Sequence, residues 1–163
     1  MSKGNSLQDL FLETLKDIYY AEKKILRSLP KMAKAAESDE VKESFRLHRE
    51  QTEGQIQRLE QVFEQLGKTA RGKTCDAILG ILAEGEDAME SYEGAPALDA
   101  ALIASAQAVE HYEIARYGTL KNWATQLGMT EAAALLQENL QEEEATDKLL
   151  SKMSKAANKK AAA

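Results

Sequence analysis

The sequence predicts an all-α protein, a ferritin-like up-down four-helix bundle made of two antiparallel hairpins with a short extra helix in the crossover. The 163 residues include only nine glycines and two prolines and are rich in the good helix formers Ala, Leu, Glu, Gln and Lys. Apolar residues recur at spacings of three and four in four long stretches. The second and third stretches are far enough apart to require a long crossover.

The first hairpin is predicted from two apolar stripes that lie close together in the sequence. Ser6 precedes the first stripe, in which Pro30 removes an amide donor and predicts a kink. Ser38 and Asp39 are suited to cap the second helix, which is expected to end at Gly67. The short connection between them makes the two helices antiparallel neighbours.

The crossover and the second hairpin are predicted from the helix-start and helix-end signals in the rest of the sequence. A weaker helical pattern over residues 78–89 predicts the short crossover helix. Pro96 is suited to the first turn of the third long helix, and Gly128 to its end. Thr130 then predicts a cap for the fourth long helix.

Composition limits the functional class. We expect one domain over residues 1–155 and a flexible C-terminal tail over 156–163, because the tail is mostly Lys and Ala. No apolar run is long enough for a membrane span, which predicts a cytoplasmic protein with no membrane partner. The single cysteine, Cys75, excludes an intramolecular disulfide and indicates a structural thiol. A net charge of -6 is unfavourable for nucleic-acid binding.

Ionisable residues interrupt the apolar stripe of every long helix near its middle. Burying one such unpaired carboxylate costs several kcal/mol, so a single interruption would be read as a boundary residue in contact with solvent. Interruptions on all four helices fall at one depth and predict a shared buried site. Its candidate metal ligands are Glu22, His48, Glu110, Glu113, Glu143 and Asp147.

Clustered carboxylates need a cation to neutralise them, and oxygen and imidazole ligands suit two iron ions, with manganese as the alternative. A standard di-iron bundle also contains Glu-x-x-His pairs, and this chain contains none. Gln51 stands three residues after His48 as a weak ligand or a hydrogen-bond donor, and Thr52 is better placed to support the ligands from behind. Four nearby tyrosines could hydrogen-bond carboxylates or donate an electron, although packing is the more common role: Tyr19, Tyr20, Tyr112 and Tyr117.

Four segments resemble the ferritin-like YciE/YciF family of bacterial stress-associated proteins over nearly the whole chain. They are LKDIYYAEKKI, HREQTEGQIQRLEQVF, DAALIASAQAVEHYEIARYGTL and LQEEEATDKLL. The resemblance implies a homodimer, relatives among rubrerythrins and manganese catalases, and a di-iron centre. Matched by position, the family's ligand pattern falls on Glu22, His48, Glu110, Glu113 and Glu143, whereas Gln51 stands where other members have Glu.

Two functions remain open at this point. The first is a stress-associated metal protein that handles iron, oxygen or peroxide, as a ferroxidase, a peroxidase or a catalase-like oxidoreductase. The second is a dimeric structural or interaction protein whose polar core is a metal-free relic. Iron storage would need a large cage assembly, for which the sequence gives no indication.

Overall fold

The computed structural model describes residues 4–163 and confirms a helical bundle. Four long helices and one shorter helix account for most of this part of the chain, and short connections join them. Their bounds are α1 Leu7–Ala35, α2 Asp39–Gln65, α3 Asp76–Ser91, α4 Leu98–Gln126 and α5 Thr130–Ala161.

The long helices form two hairpins, α1 with α2 and α4 with α5. The hairpins pack on each other through α1 against α4 and α2 against α5, and α3 lies against α4 and α1. The predicted two-hairpin arrangement with a short helix in the crossover is therefore confirmed. Within residues 4–163, no helix combines the length and the apolar character needed to cross a membrane.

Helix α1 begins and continues largely as its sequence indicates. Ser6 accepts a hydrogen bond from the Asp9 amide, and the Asp9 carboxylate accepts one from the Ser6 amide, which forms a capping box. Pro30 lies inside the helix, which continues to Ala35. Its inward stripe, including the fully buried Leu15, forms the α1 share of the core.

Three predicted helix starts differ from the structure in their details. Pro96 lies two residues before α4, outside its first turn, and Thr130 is the first residue of α5 rather than its cap. Ser38 occupies the N-cap position of α2, but its side chain makes no capping hydrogen bond. The carboxylate of Asp99, from the start of α4, accepts hydrogen bonds from the amides of Glu37 and Ser38 instead, at 2.8 and 2.9 Å.

The C-terminal residues predicted as a flexible tail, 156–163, mostly belong to α5. The helix passes the predicted domain end at residue 155 and reaches Ala161. Met153 and Ala157 are buried, and Lys160 Nζ lies 2.6 Å from Glu37 Oε2 at the end of α1. Burial of Met153 and Ala157 and the Lys160–Glu37 ion pair hold the last turns of α5 in place, which a composition of Lys and Ala does not reveal.

Candidate metal centre

Five of the six predicted ligands meet inside the bundle. They come from all four long helices at one depth, because each replaces an apolar residue on an inward stripe. The four carboxylic residues are fully buried, and the histidine is 3% exposed. The five residues are Glu22 on α1, His48 on α2, Glu110 and Glu113 on α4, and Glu143 on α5.

His48 and three of the carboxylates form a compact group. One ligand atom each from His48, Glu110, Glu113 and Glu143 lie within 4.8 Å of one another. His48 Nε2 is 3.0 Å from Glu110 Oε1 and 3.7 Å from Glu143 Oε2. Although the nearer approach is short, its geometry does not meet the criteria of a hydrogen bond. Nε2 therefore faces the carboxylate oxygens without a hydrogen-bond partner.

Glu22 lies next to Glu113, outside the group of four. The hydroxyl of Tyr117, which is fully buried, donates a hydrogen bond to Glu22 Oε1 at 2.5 Å. Tyr117 stands one turn after Glu113 on α4, so a single helix face supplies both the acid and the group that orients its neighbour.

Most of the oxygens in this cluster lack a hydrogen-bond donor. Within residues 4–163, neither oxygen of Glu110, Glu113 or Glu143 has a partner, and Glu22 has one only at Oε1. Buried polar atoms are normally hydrogen-bonded, so this concentration requires an explanation. Divalent cations fit the group, because four carboxylates balance the charge of two such ions and carboxylate and imidazole ligands suit iron or manganese.

The pKa values of these buried groups are strongly shifted in the metal-free protein. Burial raises the pKa of Glu22 to about 7. Burial also raises the pKa of Glu113 well above its usual range, and the charges of Glu143, Glu22 and Glu110 raise it further. For His48, burial alone would lower the pKa, but Glu110 and Glu143 outweigh it and raise the pKa to about 10. For Glu143, burial alone would raise the pKa, but Glu110 and His48 outweigh it and lower the pKa. Protons on the other groups therefore offset much of the carboxylate charge where no metal does.

Asp147 does not join the other predicted ligands. Its side chain is 20% exposed, and its Oδ1 lies 3.2 Å from Nε2 of the exposed His111 and 3.3 Å from Nε2 of Gln107. Four residues of helix turn about 400°, so Asp147 is rotated by about 40° from Glu143 and displaced by about 6 Å along α5. These two offsets carry it to the surface groove between α4 and α5.

Gln51 and Thr52 lie beside the cluster with their polar groups engaged elsewhere. Gln51 is half-buried, and its Oε1 accepts a hydrogen bond from Thr146 Oγ1 at 3.2 Å. The hydroxyl of Thr52 donates to the backbone oxygen of His48 at 2.8 Å. Thr52 thus supports the turn that carries His48 but does not contact a carboxylate.

The tyrosines make different contacts, which the sequence alone does not distinguish. The hydroxyl of Tyr19 donates to Glu60 at 3.0 Å, and that of Tyr112 lies 3.0 Å from Cys75 Sγ. Among the hydrogen bonds of residues 4–163, only that of Tyr117 joins a tyrosine to a predicted ligand.

A second buried polar group, which the sequence did not predict, lies between α2 and α5. Gln55 is 1% exposed and donates to Glu142, while Arg58 binds both Asn139 and Glu142 at 2.9 and 2.7 Å. Gln55 and Asn139 do occupy inward positions on their helices, and this is the signal that could have revealed them. The group continues the polar layer from the cluster toward solvent.

Comparison with known proteins identifies the family. Residues 6–163 match the family described as Domain of unknown function (DUF892). The chain belongs to this family. It is 47% identical to the protein YciF of Escherichia coli K12 over 144 residues, which cover 87% of this chain and 86% of YciF. The predicted YciF resemblance is confirmed.

Solved structures agree with the DUF892 assignment. The structure of the E. coli stress protein YciF matches with a TM-score of 0.91 and 42% identity, covering 96% of this chain and 99% of that one. YcfI of Rhodopseudomonas palustris, named as a candidate structural protein, matches with a TM-score of 0.89 and 43% identity, covering 93% and 97%. A protein from Xanthomonas campestris pv. campestris, at 22% identity and a TM-score of 0.73, shares the fold over 93% of this chain and 92% of its own.

Proposed function

We propose that this DUF892 protein binds a pair of iron ions, with manganese as the alternative, among the five buried ligands. The unpartnered carboxylate oxygens carry the proposal, because a fully buried group of four glutamates needs cations more than any other ligand. The ligands are Glu22, His48, Glu110, Glu113 and Glu143.

In this proposal the chain's own residues have separate tasks. The carboxylates hold the cations, and His48 must lose its proton before it can act as a ligand. The Tyr117 hydroxyl keeps Glu22 in one orientation. Buried apolar side chains within one turn of Glu22 on α1, Ile18 and Ile25, limit access of water. When bound, such a metal pair supplies electron transfer to oxygen or peroxide.

The proposed activity is that of a stress-associated oxidoreductase which handles iron, oxygen or peroxide. The name of the E. coli relative, a stress protein, supports this direction. Ferroxidase, peroxidase and catalase-like turnover all fit a carboxylate-rich metal pair, and the predicted homodimer and cytoplasmic location are part of the same proposal.

Metal analysis tests the proposal directly. Protein purified without a chelating tag should contain about two iron or manganese ions per chain, or take them up after incubation with Fe(II) or Mn(II) under anaerobic conditions. The Glu110→Ala/Glu113→Ala variant should lose this capacity. The matched control Glu84→Ala/Glu86→Ala removes the same charge from the exposed face of α3 and should keep it. Fewer than about 0.2 ions per chain in the loaded wild-type protein would contradict the proposal.

A metal-free structural protein is the second candidate. The Rhodopseudomonas relative's name favours it. The short distances from His48 Nε2 to Glu110 and Glu143 favour it too, because a protonated imidazole there offsets carboxylate charge without a metal. Thermal unfolding separates the two candidates. A metal site raises the midpoint on addition of Fe(II) or Mn(II), because a ligand of the native state stabilises it, whereas a protonated relic leaves the midpoint unchanged.

A further inference from the structure

Two segments of this acidic chain carry only basic charges. Residues 23–36 contain five Lys or Arg and no Asp or Glu, and residues 65–75 contain three Lys or Arg and again no acid. The chain as a whole has a net charge of -6. Such separation of charge concentrates a positive potential wherever the two segments meet.

The fold packs the second segment on α1, just N-terminal to the first segment. The amide of Lys73 donates to the Lys16 carbonyl at 3.2 Å, and Lys73 Nζ lies 3.2 Å from Glu13 Oε2. Gly72 packs so closely on Tyr20 that an added Cβ would lie 3.0 Å from the tyrosine Cβ. The connection between α2 and α3 is thus fixed against α1 by three contacts.

A cleft of about 390 Å³ lies where the segments meet, and we call it the α1 cleft. Two tyrosine rings form part of its wall, with Lys23 Nζ 5.1 Å from the Tyr19 ring and Lys24 Nζ 5.4 Å from the Tyr20 ring. The Tyr19 hydroxyl already donates to Glu60. The lining residues are Tyr19, Tyr20, Lys23, Lys24, Arg27, Ala70, Arg71 and Gly72.

The four cations of the α1 cleft have no acidic partners. Among the ion pairs of residues 4–163, none involves Lys23, Lys24, Arg27 or Arg71, and no acidic residue lines the cleft. Four positive charges around one concave space repel one another, and an anion in that space would remove the repulsion.

A second basic groove, between α1 and α2, provides the contrast. It is larger, at about 650 Å³, and also carries four cations: Lys34, Lys42, Arg46 and Arg49. Here, however, Arg46 pairs with Glu43 at 3.2 Å and Arg49 with Glu53 at 3.3 Å. Two of its four cations are therefore paired within the protein itself, and the α1 cleft keeps more uncompensated positive charge.

We propose that the α1 cleft binds a small molecule that carries two or more linked phosphate groups. Its volume is in the range of small-ligand sites, and a concave space suits a compact ligand better than a flat protein surface. Two arginines present fork-shaped donors that match phosphate oxygens, and two lysines add charge. This inference does not depend on the metal centre.

Isothermal titration with inorganic tripolyphosphate at low ionic strength tests the proposal, on protein as purified and after removal of metal with a chelator. We expect one ligand per chain in both states, with affinity that falls steeply as salt is added. The Lys23→Gln/Arg27→Gln/Arg71→Gln variant should bind at least about tenfold more weakly. The Lys34→Gln/Arg46→Gln/Arg49→Gln control, which loses the same charge in the contrasting groove, should change affinity by less than about twofold.

The source of the phosphate is resolved by a second titration with ATP. Affinity equal to that of tripolyphosphate indicates an inorganic oligophosphate, and affinity at least about tenfold higher indicates a nucleotide whose base contacts the tyrosines. Absence of binding by both ligands overturns the proposal. Equal weakening in the two triple variants also overturns it, because it would show attraction by net charge alone.

Discussion

The Tyr117 hydroxyl donates a hydrogen bond to Glu22 Oε1 across the interior of the bundle, at 2.5 Å. The two residues are 95 positions apart, and both are fully buried. Within residues 4–163, Glu22 Oε1 is the only carboxylate oxygen of the candidate metal centre that accepts a hydrogen bond. The bond from Tyr117 therefore sets the orientation of the α1 ligand before any cation binds.

Replacing Tyr117 with Phe should weaken metal binding with little change in packing volume. Glu22 would lose the group that holds it, and removal of such a supporting hydrogen bond lowers metal affinity by about 10- to 100-fold. Titration with Mn(II), in which electron paramagnetic resonance reports the free Mn(II), measures the change in affinity. Tyr112→Phe is the control, since that hydroxyl contacts Cys75 and no ligand. Equal affinities in the two variants would remove the positioning role from Tyr117.

The metal-free protein should lose stability through Glu22 as pH rises. Burial raises the pKa of Glu22 from its ordinary 4.5 to about 7, so between these values the native state binds more protons than the unfolded state. Stability from this group is then complete below about pH 4.5 and is lost as pH rises through 7, by about 3 kcal/mol at most. His48, with a pKa raised to about 10, adds a loss of the same sign at higher pH.

Urea unfolding with a chelator present, at several values between about pH 5 and pH 8, measures this dependence. The Glu22→Gln variant does not titrate at this position and serves as the reference. We expect the free energy of unfolding of the wild type, relative to the variant, to fall steadily over this range. A constant or rising difference would mean that Glu22 is ionised throughout.

The ligands that meet were predictable because burial and periodicity act locally. Glu22 and His48 each break an apolar stripe, and helix geometry alone makes such a residue face inward. Asp147 broke the same kind of stripe but faces His111 at the surface, because an extra 40° of rotation decides between core and boundary. Sequence spacing does not resolve that difference, since it depends on where α4 packs.

Interactions between helices distant in sequence were not predictable. Asp99 accepts hydrogen bonds from the amides of Glu37 and Ser38, 62 and 61 residues away. The local signal at Ser38 gave the N-cap position of α2 correctly, but it could not reveal this long-range acceptor. The final turns of α5 are similar, because their burial depends on contact with the end of α1. Arg58 joins Asn139 and Glu142 in the same long-range way.

Gln51→Glu should strengthen metal binding. Gln51 follows His48 by three residues, and its side chain accepts a hydrogen bond from Thr146, which follows Glu143 by three. A carboxylate in this position adds a charged ligand next to the cluster. We expect the affinity for the more weakly bound of the two metal ions to rise about tenfold or more. Calorimetric titration with Fe(II) or Mn(II) measures the two steps. Gln61→Glu, on the exposed face of α2, adds the same charge and should leave both steps unchanged.

Asp99→Ala should destabilise the whole bundle. Asp99 is 4% exposed, and its two oxygens accept the amides of Glu37 and Ser38, where the α1–α2 turn meets the start of α4. Alanine leaves the amides of the exposed Glu37 and the half-buried Ser38 without their acceptor, at a cost of about 1 to 3 kcal/mol. The midpoint of urea unfolding should fall accordingly, with metal stoichiometry unchanged, because the turn lies far along α1 from Glu22.

Asp87→Ala is the matched control for this variant. Asp87 is exposed on α3 and makes no hydrogen bond or ion pair with another side chain in residues 4–163, so its loss should change stability by less than about 0.5 kcal/mol. If both alanine variants unfold at the same urea concentration, the Asp99 bonds add nothing beyond surface charge. A loss of stability in Asp99→Ala alone would instead show that α4 stabilises the turn between α1 and α2, where the Ser38 side chain makes no capping hydrogen bond.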